Sequence, residues 1–63
     1  MAQESRTSKL LEVAVSNPSE NSWEWAVVAG DEIMVFGYES TRLAAIAAGN
    51  DALFHILAAG WNA

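Results

Sequence analysis

Asp51 and His55 stand four residues apart, a spacing that stacks two side chains on one face of a helix. A carboxylate beside an imidazole can orient the ring and raise its basicity, the elementary unit of a general base. No serine or other nucleophile is brought near this pair by the order of residues, so it reads as an exposed helix-surface pair. Glu12, Glu20, Glu24, Asp31, Glu32 and Glu39 could supply a carboxylate pair or a hard-cation site, but their spacing matches no binding loop. They read instead as solvated edge and turn charges. With one histidine and no cysteine, a protein-bound zinc is not expected. No residue is assigned a catalytic, cofactor-binding or metal-ligating role, and the chain reads as non-enzymatic.

The remaining chemistry-bearing residues are aromatic. Trp23, Trp25, Phe36 and Tyr38 could form a platform on which a flat ligand stacks, or they could be core and interface. Together with Ala48 they are the candidate interface or ligand surface. Ala48 belongs to a strip of small residues, Ala44, Ala48 and Ala52, that partly overlaps a second strip, Ala45 and Gly49. Small side chains at four-residue spacing allow a helix to approach a neighbour closely, and an interior glycine costs about 1 kcal/mol against alanine, so Gly49 needs a reason to be there.

The elements that carry these residues follow from periodicity. Residues 1–8 are polar and aperiodic and read as a disordered tail, leaving 9–63 as one small α+β domain. In Lys9 to Ser16, Leu11, Val13 and Val15 fall on one side at period two, which favours a strand, with a short helix as the alternative. Asn17 to Ser22 reads as a loop, with Pro18 ending the ladder. Trp23 to Tyr38 reads as a hairpin around Gly30-Asp31, with Gly30 supplying the positive φ of a two-residue turn. A two-residue turn would set Val27 against Met34, Trp25 against Phe36 and Trp23 against Tyr38, gathering the four aromatics on one face; a three-residue loop would shift this register by one and regroup the faces.

Ser40 or Thr41 can cap the helix that follows. Leu43, Ile46, Ala47, Asn50, Leu53, Phe54, Leu57 and Trp61 form its apolar stripe, read as facing the core. Gly49-Asn50-Asp51 could break this helix in two, but the stripe stays in phase across it, so one continuous helix is expected, with Gly60 near its end. The fold expected is therefore a three-stranded antiparallel β-meander followed by one C-terminal helix packed on one sheet face, β-β-β-α. Which face the helix covers is left open.

From Gly37 to Leu53 the chain resembles the last strand and helix of a double-stranded-RNA-binding domain. Ser40, Ala44, Ala48, Ala52 and Leu53 stand where that family has its helix start and packing residues. The family's phosphate-gripping lysines would fall at Thr41, Arg42 and Ala45, and only Arg42 is basic. The resemblance implies strand-strand-helix order and leaves RNA binding as the least favoured of three functions.

Both hairpin faces are apolar, whereas a sheet covered on one side alternates apolar and polar residues. One helix covers one face, so the other needs a partner. Size points the same way. A chain of 63 residues has a marginal core, and without disulfide or metal the remaining support is oligomerisation. The formal net charge of -5 disfavours nucleic acid and anionic membrane surfaces. No signal peptide and no membrane-spanning run is legible, and a cytoplasmic setting is expected. The leading expectation is a small acidic interaction or assembly module acting as a homodimer, with another protein as a further partner. The alternative is a small-ligand binder with an aromatic pocket between sheet and helix or at the dimer seam.

Overall fold

The computed structural model describes residues 10–61; the N-terminal tail assigned to residues 1–8 lies outside them. Strands β1 (Leu11–Ser19), β2 (Ser22–Ala29) and β3 (Glu32–Glu39) are followed by helix α1 (Arg42–Ala58). The strands form one antiparallel sheet in the order β1-β2-β3. The β-β-β-α architecture is the one expected, and residues 11–19 settle as strand, in keeping with the β-branched Val13 and Val15.

Two local readings are corrected. β1 does not stop before Asn17 but runs through Pro18 to Ser19, where Ser19 pairs with Ser22. The ladder is irregular between Ser16 and Ser19, which is where a residue without an N–H can be tolerated. The Asn17 amide closes the turn, donating to the Ser19 carbonyl and, at 2.7 Å, to the Ser22 carbonyl.

The second correction is the hairpin register. Gly30 has φ 66°, as its two-residue turn requires, and Ala29 pairs with Glu32 and Val28 with Ile33. A bulge then inserts Met34, so Val27 faces Val35, Ala26 faces Phe36 and Trp25 faces Gly37. One extra residue exchanges the two faces of β3 from that point on.

The sheet face toward the helix carries Leu11, Val13 and Val15 from β1 and Trp23, Trp25, Val27 and Ala29 from β2, facing Val35, Gly37 and Glu39 of β3. The other face carries Ala14, Ala26, Val28, Ile33, Phe36 and Tyr38, with Glu12 and Glu24 at its margins. Helix α1 is continuous, so Gly49 and Asn50 do not break it. Thr41 is its N-cap, its Oγ1 accepting from the Ala44 N–H at 3.1 Å. At the other end Gly60, φ 93°, donates its N–H to the Leu57 carbonyl.

The expected stripe is split: Ile46, Leu53 and Trp61 are half-buried, while its other members face solvent. Ala45 and Gly49 are its buried residues, with Ala48, Ala52 and Ile56 half-buried beside them. Leu43, Phe54 and Leu57 are 76%, 67% and 52% exposed, and Ala47 and Asn50 are exposed with them. Close approach is the physical reason. A Cβ on Gly49 would fall 2.5 Å from a Val13 methyl carbon and 3.6 Å from the Trp25 Cβ, so the helix backbone rests directly on β1 and β2. The buried apolar residues among those described are Ala26, Val27, Ala29 and Ala45, and Val27 is the only large side chain fully enclosed. Around this thin centre Val13, Trp23, Trp25, Ile46, Leu53 and Ile56 are half-buried.

Candidate functional site

The Asp51–His55 pair forms on the exposed surface of α1. His55 Nδ1 lies 2.8 Å from the Asp51 carbonyl oxygen, which can only accept, so this nitrogen carries the proton and donates along the helix. The Asp51 carboxylate is 3.7 Å away, and both side chains are more than two-thirds exposed. The ring meets Phe54 edge-on, with centroids 6.1 Å apart. Solvent screens so exposed a pair. Among the described residues no group of three histidines or carboxylates could hold a metal ion.

The four aromatics do not share a face. Trp25 lies on the helix side with its indole across Gly37, where an added Cβ would come within 2.7 Å of the ring. Trp23, two residues back on β2, is half-buried on the same side. Phe36 and Tyr38 project from the opposite face, exposed and in edge-to-face contact at 6.1 Å. The bulge at Met34 causes this split. These four residues therefore cannot line one pocket between sheet and helix. The Trp25 Nε1–H is buried and has no acceptor among the described residues, an orphan donor in the middle of the packing layer.

Ala48 is half-buried on the side of α1 that rests on the sheet. The small-residue strips thus lie toward the sheet, where Gly49 meets Val13 of β1 and Trp25 of β2. This is also the reason Gly49 is present.

Two apolar surfaces remain open. One is the outer sheet face, with Ile33, Phe36 and Tyr38 each more than half exposed. The other is the outer stripe of α1, with Leu43, Phe54 and Leu57. Scattered single apolar residues are ordinary on a protein surface, but several large ones gathered on one sheet face and one helix face are a candidate for contact with a partner. They differ in charge. From Leu11 to Glu39 the chain carries six carboxylates, Glu12, Glu20, Glu24, Asp31, Glu32 and Glu39, and no lysine or arginine. The helix carries Arg42 and Asp51, which balance, and His55.

No described helix is long and apolar enough to cross a membrane. Comparison with protein-family models, with curated proteins and with solved structures finds no match.

Proposed function

We propose that this chain is a non-enzymatic interaction or assembly module that acts as a homodimer. The observation that carries the reading is the exposure of large apolar residues: Val27 is the only large side chain fully enclosed among the described residues, while Leu43, Phe54 and Leu57 on the helix and Ile33, Phe36 and Tyr38 on the sheet stand in solvent. Enclosing one such side chain contributes about 1.5–3 kcal/mol, so covering either patch adds a large fraction of a small protein's net stability. A second copy of the chain is the simplest cover, because every copy carries the same patch. A cytoplasmic setting belongs to this reading and is in keeping with a chain that uses no cysteine.

The test is molar mass by light scattering behind a sizing column over a dilution series. A dimer that persists into the micromolar range supports the reading. A folded monomer at all concentrations rejects self-assembly.

A further inference from the structure

We infer that two copies of the chain pair through the outer stripe of α1, with the helices antiparallel and the two-fold axis passing beside Asn50. This rests on the homodimer reading and names its surface.

The stripe has the spacing of a helix–helix seam. Leu43, Ala47, Asn50, Phe54 and Leu57 follow one another at intervals of four, three, four and three residues, the alternation that keeps side chains on one line along a helix facing another helix. All five are exposed, on the side of α1 away from Ala45 and Gly49. The protein's own sheet therefore does not obstruct a second helix laid along this line.

The order of side chains in the seam selects the direction. Asn50 is its midpoint. Reversing the stripe about Asn50 places Leu43 beside the second copy's Leu57 and Ala47 beside its Phe54. Each large ring then meets a small residue, as close packing of two ridges requires. A parallel pair would set Phe54 against Phe54 and leave a gap between two Ala47 methyl groups. At the axis, Asn50 meets its own copy. An amide both donates and accepts, so two asparagines related by a two-fold axis satisfy each other, and a single polar residue in an apolar seam fixes register. Within the chain the Asn50 amide has no hydrogen-bond partner among the described residues.

Charge decides between the helix and the sheet as the self-association surface. Pairing through the outer sheet face would bring Glu12 and Glu24 of both copies together on strands that carry no basic residue. The helix surface is balanced and brings no such repulsion. The seam runs 14 residues from Leu43 to Leu57, about 21 Å of helix.

The experiment uses the cysteine-free background of the chain. Asn50→Cys and Leu57→Cys are compared under mild oxidation in the full-length protein, alongside the molar mass of Phe54→Lys and Phe36→Lys, with circular dichroism confirming that each variant is folded. In the antiparallel pair Asn50 is adjacent to its own copy. Leu57 is about 21 Å from its own copy, 14 residues of helical rise, far beyond disulfide reach. The expected result is cross-linking of Asn50→Cys at least tenfold faster than of Leu57→Cys. Phe54→Lys is expected to raise the dimer dissociation constant about 100-fold or more, with Phe36→Lys unchanged.

Equal cross-linking at both positions would mean a parallel seam and overturns the inference. Dissociation by Phe36→Lys with Phe54→Lys still dimeric would move the interface to the sheet; the inference then fails while the homodimer reading stands. If the unmodified chain is monomeric throughout, both fail together.

Discussion

A methyl group of Val13 occupies the space that a side chain on Gly49 would need. The distance from that carbon to an idealised Cβ is 2.5 Å, well inside van der Waals contact. Helix and sheet are thus held at their spacing by the absence of one atom on α1 and the presence of another on β1. Gly49→Ala sets two effects of opposite sign against each other. Alanine is better than glycine in a helix interior by about 1 kcal/mol. Overpacking a close contact costs about 1–3 kcal/mol, and a β-branched valine has little rotamer freedom with which to yield. The net expectation is a loss of stability, read as a lower urea midpoint. Val13→Ala in the Gly49→Ala background should recover part of it, because the clashing methyl is gone. A more stable Gly49→Ala protein would contradict the contact.

Gly37 and Trp25 make a second such pair. A Cβ at Gly37 would lie 2.7–2.9 Å from three atoms of the indole. The ring is rigid and lies in the layer between sheet and helix, so it can move only by disturbing its neighbours. Gly37→Ala is expected to lower stability by about 1–3 kcal/mol. The tryptophan emission maximum should shift as the indole is displaced. Unchanged stability and emission would show that the ring does not rest on Gly37.

Trp25 itself should respond differently to two substitutions. Trp25→Ala removes a large ring from the packing layer, at a cost of about 3–5 kcal/mol, and a chain of this size is expected to unfold. Trp25→Phe keeps most of the ring and removes the buried Nε1–H that lacks an acceptor. An orphan buried donor costs about 1–3 kcal/mol, so its removal offsets much of the lost ring area. Trp25→Phe should therefore remain folded, with an unfolding midpoint near that of the parent. Paired thermal melts of the two variants check this.

Thr41 and Ser40 both have the chemistry of a helix cap, and the Thr41 hydroxyl bonds to the Ala44 N–H. Thr41→Ala should cost about 1 kcal/mol. Ser40→Ala, one residue earlier, should cost almost nothing. The comparison is made by chemical unfolding, and equal losses would show that the cap is shared.

The order of elements was legible in the sequence because period-two runs, a Gly-Asp turn and an alanine-rich helix each act locally. The turn at Gly30 and the start of the helix were readable for the same reason. The bulge at Met34 was not, since nothing in the residue types of Ile33, Met34 and Val35 marks an extra residue, and its effect on register carries through to Tyr38. That single insertion is why Trp25 and Phe36 were expected on one face and lie on two. The helix was misread for a different reason. Hydrophobic bulk marks Leu43, Phe54 and Leu57 as inward, and bulk alone does not decide which face fits. What selects the inward face is shape: Ala45 and Gly49 admit Val13 and Trp25, and the larger stripe cannot. Gly49 stood out as an unexplained cost, and that cost was the signal for the true packing face.

The bulge at Met34 bears on what the edge of the sheet offers to a further strand. Ile33, Met34, Val35 and Phe36 form an exposed apolar run on an edge strand, the composition from which cross-β stacks grow. A templating edge must be flat, with its backbone groups in unbroken alternation. The inserted residue twists the edge midway along that run and breaks the alternation. At the opposite edge, β1 ends in an irregular stretch that contains Pro18, which has no N–H to offer. Both edges of the sheet are therefore interrupted, one by an inserted residue and one by a proline, and neither presents a full-length unbroken ladder to a further strand.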